Sequence, residues 1–246
     1  MALLEVCIDS VASGRAAQAG GADRIELCSA LIIGGLSPSP ALYTALRQAG
    51  VTVPVRAMVR PRFGDFLYSD DEKEIMLAET RAWRAAGVDG VVTGALTADG
   101  ALDTDFLRAF IDASPGLGHT LHRAFDLTAD PFAALETAID LGFDTILTSG
   151  QQDAACKGAA LLAELHRRAA GRIEILVGAG VNADAITTLR PATGCTSFHL
   201  SAKKTLASGM VYRREGVPMG LPGFDEFSLW QTDADRVRAA KEALLG

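Results

Sequence analysis

The residues of this chain that could do chemistry sit at the ends of short β-rich runs. Cys7 lies in Leu4-Glu5-Val6-Cys7-Ile8-Asp9, and Cys28 ends Arg24-Ile25-Glu26-Leu27-Cys28. Successive side chains of a strand point to opposite faces. Glu5, Cys7 and Asp9 therefore share one face, and Arg24, Glu26 and Cys28 share one face of the next run. A third run, Val55-Arg56-Ala57-Met58-Val59-Arg60-Pro61-Arg62, groups Met58 with Arg60. His122 lies in Thr120-Leu121-His122-Arg123, and His199 in Ser197-Phe198-His199-Leu200-Ser201. Glutamate and histidine can move protons, arginine binds carboxylate or phosphate, and thiols with a thioether suit Cu(I).

Glu26, Arg60, His122 and His199 are the candidate catalytic groups. Burying them in an apolar core is costly unless they pair and hydrogen-bond. Their convergence is a functional signal; the competing reading is an ion-pair network that merely closes the structure. The anion-binding candidates are Arg62, Arg123, Gly178, Gly180 and Ser201. Gly178-Ala179-Gly180 precedes a helical pattern, and Ser201-Ala202-Lys203 follows the last β-rich run. Many barrels hold phosphate at that place with loop amides and a helix N-terminus. The glycines can equally serve only a tight turn, and Arg62 can be a solvated loop residue.

Cys7, Cys28 and Met58 are the candidate metal ligands. On adjacent parallel strands the two cysteines are expected about 5 Å apart across the ladder. No C-x-x-C or H-x-x-x-H spacing points to zinc. Free cysteine is also a common small core residue, and on residue type alone that reading is the stronger. Cys156 and Cys195 have no partners in the pattern, His166 lies on a solvated helix face, and His119 faces outward.

Eight β-rich runs must position these groups, near residues 3–9, 23–28, 53–60, 89–94, 118–124, 144–149, 173–179 and 196–201. Helical patterns fall between them near 10–19, 38–49, 70–86, 103–113, 131–141, 153–170 and 182–190, with a last one near 232–245 after a long loop. Ser37-Pro38 and Asp130-Pro131 read as helix N-caps followed by a first-turn proline. Gly21-Ala22-Asp23, Gly87-Val88-Asp89 and Gly142-Phe143-Asp144 recur just before runs, each glycine suited to close a helix. Eight βα units in 246 residues predict a (β/α)8 TIM barrel, an α/β fold spanning 1–246 as a single domain. A doubly wound open sheet is the competitor, but no G-x-G-x-x-G follows the first run. In a barrel the inward residues near the strand ends open on a common mouth.

Composition narrows the function classes. A net charge of −7 and an isoelectric point near 5.1 argue against a nucleic-acid or acidic-membrane partner. No stretch approaches the ~20 apolar residues of a membrane span. Met-Ala-Leu-Leu-Glu-Val-Cys enters a strand pattern at once, without the basic segment of a signal peptide. Four thinly spread cysteines are no disulfide framework, so a reducing cytoplasm is expected.

Several long segments resemble the CutC family: Glu5-Val6-Cys7, Gly21 through Cys28, Arg60-Pro61-Arg62, Gly64-Asp65-Phe66 with Tyr68-Ser69-Asp70, and His122-Arg123-Ala124-Phe125-Asp126. Leu147-Thr148-Ser149-Gly150, Gly178-Ala179-Gly180 and His199-Leu200-Ser201-Ala202 continue the likeness in order. It runs from residue 2 to about residue 245. It departs at Phe63, where glycine is common in the family. The resemblance implies a cytoplasmic barrel linked to copper homeostasis, with Cu(I) binding and a homo-oligomer. Cys7 and Cys28 match the cysteines proposed as copper ligands in that family, which has no firmly established reaction.

Two functions follow. One is a copper protein holding Cu(I) through Cys7 and Cys28, with Met58 nearby. The other is a barrel enzyme acting on a small anionic or phosphorylated metabolite by acid–base chemistry. Glu26 or His122 would be its acid or base, and Arg60, Arg123 and the last two loops would hold the anion.

Overall fold

Eight parallel strands close into a barrel in sequence order in the computed structural model, which describes residues 2–214, 216–217, 219–220 and 225–246. The strands are β1 (Leu3–Ile8), β2 (Arg24–Leu27), β3 (Val55–Met58), β4 (Gly90–Thr93), β5 (Gly118–Leu121), β6 (Thr145–Thr148), β7 (Glu174–Val177) and β8 (Ser197–Leu200). The helices between them are α1 (Val11–Gly20), α2 (Pro40–Gln48), α3 (Asp70–Ala86), α4 (Thr104–Ala113), α5 (Pro131–Leu141), α6 (Ala159–Ala169) and α7 (Ala183–Thr193). β1 pairs with β8 from Leu3↔Ser197 to Val6↔Leu200, which closes the ring. The expected (β/α)8 barrel is the observed fold.

The recurring glycine and aspartate pair has a physical role. Gly21, Gly87 and Gly142 each take a left-handed conformation that ends the preceding helix. The aspartate two residues later then reaches back to the strand before. Asp23 accepts the N–H of Leu4 at 2.7 Å, Asp89 that of Val55 at 2.8 Å, and Asp144 that of His119 at 2.7 Å. One tripeptide thus stops a helix and fixes the start of a neighbouring strand.

Helix starts follow local capping chemistry. Asp130 caps α5 ahead of Pro131 as the sequence predicts. α2 begins one Ser-Pro unit later than expected, with Ser39 as its cap and Pro40 in its first turn. α6 starts at Ala159 rather than near 153, because residues 153–158 form turns. The long loop after β8 holds an antiparallel hairpin, β9 (Lys203–Ala207) and β10 (Ser228–Thr232), before α8 (Ala234–Leu245). The chain leaving β8 therefore enters a strand, not a helix whose N-terminus could hold phosphate.

The apolar faces of the strands look outward. Leu4, Val6, Ile8, Ile25, Val55, Val91, Ile146, Val177 and Phe198 are buried in the main core. His119 also faces this layer; it is buried, with Nε2 2.9 Å from Ser114 Oγ at the end of α4. The opposite faces fill the barrel, and they are polar. No helix among the described residues is long and apolar enough to cross a membrane.

Candidate functional site

The lower half of the barrel interior is a charged network. Register places Glu5 opposite both Arg24 and His199. Arg24 Nε donates to Glu5 Oε2, and its Nη2 lies 3.4 Å from Glu174 Oε2. Ser197 Oγ donates to Glu174 Oε1 at 2.7 Å. Arg56 Nη1 donates to Asp144 Oδ1 at 2.6 Å and to Thr120 Oγ1 at 2.7 Å. Thr145 Oγ1 joins the two groups, reaching Asp144 at 2.6 Å and Glu174 at 3.2 Å. Burial pushes the Glu5 carboxyl pKa up, but Arg24 and His199 outweigh that and hold it at about 2.

Above this network lies a cavity of about 560 Å³. Cys7, Glu26, Met58 and His199 line it from the strands, and Arg60, Phe66, His122 and Arg123 from the segments after β3 and β5. Glu5 Oε1 lies 2.7 Å from His199 Nδ1. With Glu5 ionised, Nδ1 carries the proton and donates it. His199 Nε2 is then 3.8 Å from Glu26 Oε2. One donor atom each from Cys7, Glu26 and His199 lies within 4.8 Å of the other two. Burial opposes a charged imidazole, but Cys7, Glu26 and Glu5 prevail and raise the His199 pKa well above its ordinary value. Burial raises the Glu26 pKa against the pull of His199, and Glu5 adds to the rise. Glu26 Oε1 is buried with no hydrogen-bond partner.

The two cysteines are not the facing pair that the sequence suggested. Cys7 pairs with Glu26 across the ladder, which offsets Cys28 by two residues. Cys28 is fully buried beside Met58 and Val92. Its Sγ donates to Glu26 Oε2 at 3.4 Å, and burial followed by Glu26 pushes its pKa well up. Cys7 and Met58 line the cavity, whereas Cys28 stands behind it.

Arg60 and His122 line the same cavity. Arg60 Nη1 donates to the carbonyls of Gly35 (3.1 Å) and Ile33 (3.4 Å), and Nη2 to that of Gly64 (3.0 Å). Its Nε is buried and unpaired. His122 Nδ1 accepts the N–H of Ala124 at 3.1 Å, which puts the ring proton on Nε2. That Nε2 is also buried without a partner. Burial, then Arg60, lowers the His122 pKa to about 3, so the ring is neutral. Gly94 allows this placement: a Cβ there would lie 2.6 Å from His122 Nδ1. The Phe66 ring centroid is 4.8 Å from that of His122 and 5.0 Å from Arg60 Cζ.

The remaining sequence candidates divide. Arg123 lines the cavity, held by Asp126 Oδ2 at 2.7 Å and Ser149 Oγ at 3.0 Å. Asp126 also accepts from Thr148 Oγ1 and from the N–H groups of Ser149 and Gln151. Gly180, with φ +71°, and Ser201 line the cavity near Lys203 and Trp230. Gly178 does not; it lies beneath Leu147, whose Cδ1 would be 2.6 Å from a Cβ there. Arg62 also lies outside the lining. It binds Glu72, Asp65 and the Leu67 carbonyl, and so shapes the loop that leads into α3. Phe63, the departure from the CutC pattern, is exposed on that loop.

Sequence reasoning missed Glu5 as the partner of His199, Asp126 as the anchor of Arg123, and Phe66. Alternation does put Glu5 inward. What it lacks is the stagger between β1 and β8, which decides that Glu5 meets His199.

The chain is similar to known proteins along most of its length. The model of the CutC family matches residues 2–204. A CutC family protein of Chromobacterium violaceum is 46% identical over 244 residues, covering 98% of each chain. The human copper homeostasis protein cutC homolog is 45% identical over 237 residues, covering 96% of this chain and 86% of the human one. The CutC structure from Streptococcus agalactiae superposes with a TM-score of 0.77 at 29% identity, covering 82% of this chain and 99% of that one. Phosphoribosyl anthranilate isomerase from Thermotoga maritima shares the barrel alone, with a TM-score of 0.58 at 12% identity over the full length of both chains.

Proposed function

The chain belongs to the CutC family, and on that premise we propose that it is a copper-handling protein that holds Cu(I) at the barrel mouth. The Cys7 thiolate and the His199 imidazole are the principal donors, with Glu26 as the third. The observation that carries this reading is the convergence of these three donor atoms within 4.8 Å of one another at an open cavity. Thiolate and imidazole are donors that copper favours, and Met58 adds a thioether to the same lining. The hydrogen bond from His199 Nδ1 to Glu5 is the outer contact that orients a ligating imidazole and leaves Nε2 for the metal. Glu26, with one oxygen unpaired, gains a partner when an ion binds. The human and mouse relatives are named for copper homeostasis.

Cys28 has a lesser part in this reading, as a buried thiol that supports Glu26. Cys7 and His199 must shed protons to bind, so affinity should rise with pH. The test is an anaerobic Cu(I) titration against a competing chelator. Cys7→Ser and His199→Gln should each weaken binding by about a hundredfold, and Cys28→Ser by less than about tenfold. Unchanged affinity in the first two variants would overturn the assignment. A loss confined to Cys28→Ser would move the site behind the cavity wall.

A further inference from the structure

We propose that the cavity also binds a small oxyanion-bearing metabolite, a carboxylate or a phosphate monoester, received by the Arg60 guanidinium and the His122 Nε2–H. The inference does not rest on the copper reading and survives its failure.

Three arginines reach into this barrel from β2, β3 and the segment after β3. Arg24 meets Glu5 and Glu174, and Arg56 meets Asp144. Arg60, only 7% exposed, has carbonyl oxygens as its hydrogen-bond partners among the described residues, and its Nε has none. A buried cation without a counter-charge is costly, by several kcal/mol in typical cases. A fold that pairs its other two inward arginines with carboxylates leaves this one short of an anion.

His122 points to the same ligand chemistry. Its Nδ1 is already used as an acceptor, so what remains is one N–H donor, buried and unpaired. A neutral imidazole and a guanidinium on one cavity wall offer donors and no acceptor, which is what an oxyanion needs. The cavity, at about 560 Å³, has the size of a metabolite site and exceeds what a bare metal ion requires. Arg123 and Lys203 add positive charge to its lining, against the carboxylates of Asp9 and Glu26. Phe66 lies against both Arg60 and His122, and their unpaired nitrogens are closed to solvent. Binding therefore entails a local movement that opens these nitrogens to the cavity.

The experiment is isothermal titration calorimetry on chelator-stripped protein, with inorganic phosphate and malonate as separate probes. Working without metal separates a failed anion site from a failed copper site. The wild-type chain should bind at least one probe at micromolar to low millimolar concentration. Arg60→Gln and His122→Asn should each weaken that binding about tenfold or more. His122→Asn keeps an acceptor for the Ala124 N–H while removing the ring N–H, so it should fold even where Arg60→Gln does not; circular dichroism checks both. Whichever probe binds more tightly identifies the anionic group. No binding by the wild-type chain up to tens of millimolar, or unchanged affinity in a folded variant, overturns the proposal.

Discussion

At the lower end of the barrel Arg24 and Arg56 each meet a carboxylate; at the mouth Arg60 meets carbonyl oxygens and Glu26 keeps an oxygen without a partner. Glu5 and Arg24 in the first region and Glu26 and Arg60 in the second are all buried. The lower region shows that a polar barrel interior is no sign of function by itself. Its charges form a closed network that holds β1, β2, β3, β6 and β7 together. Of the four buried side-chain atoms without a partner among the described residues, three, on Glu26, Arg60 and His122, belong to residues that line one cavity, and the fourth is the Tyr68 hydroxyl outside it. Lack of a partner, more than polarity, separates a site from a scaffold.

The comparison breaks most easily through Arg24. Arg24→Met removes the cation that Glu5 and Glu174 share and leaves Glu5 buried without its main partner. Breaking a buried pair from one side typically costs about 3–5 kcal/mol. Urea unfolding at neutral pH should show a loss of that size. A loss below about 1 kcal/mol would mean that the lower network is no more a scaffold than the mouth is.

Acid should reach the lower network next. The Glu5 carboxyl titrates near its ordinary value of 4.5 in the unfolded chain and at about 2 in the folded one. A depressed carboxyl pKa stabilises the fold fully above the unfolded value, and the gain is lost as pH falls through the folded one. The loss between about pH 4.5 and 2 should approach 3 kcal/mol, by the usual conversion of a pKa difference. Unfolding free energies across that range would show it, and Glu5→Gln should flatten the slope. An equally steep slope in Glu5→Gln would place the acid sensitivity elsewhere.

How much of this could be read from the sequence follows from what alternation encodes. Period-two patterning separates the inward set (Glu5, Cys7, Glu26, Arg60, His199) from the outward apolar set, and eight repeats of it specify the barrel. The Gly-x-Asp triplets mark the helix ends before β2, β4 and β6. Alternation carries no information on stagger between strands. Alternation alone sets Cys7 across from Cys28, whereas the ladder sets it against Glu26. Nor does it show which charges find partners, because Arg24 and Arg60 look alike in sequence. Their difference arises from distant residues, Glu174 for one and the Gly35 and Gly64 carbonyls for the other. The hairpin after β8 is not legible in the sequence because its strands, Lys203–Ala207 and Ser228–Thr232, are separated by a long connection with no tight-turn signature.

Glu26→Gln gives the smallest expected effect and the sharpest contrast. The substitution keeps the shape of the side chain beside Cys28 and removes a buried carboxyl with an unpaired oxygen. A group whose folded pKa is raised binds more protons in the folded state, so stability falls as pH rises above the unfolded value. The wild-type chain should therefore carry a penalty at neutral pH that the variant lacks. Part of the gain is offset by the loss of attraction to His199, 3.8 Å away. The balance should be a change within about 1 kcal/mol, neutral or stabilising, as is common when a functional group that strains the fold is removed. Thermal unfolding of the two chains from pH 5 to 8 should show the variant gaining on the wild type as pH rises. A loss comparable to that of Arg24→Met would mean that Glu26 is as much a structural member as Glu5, and the distinction between a paired scaffold and an unpaired mouth would fail.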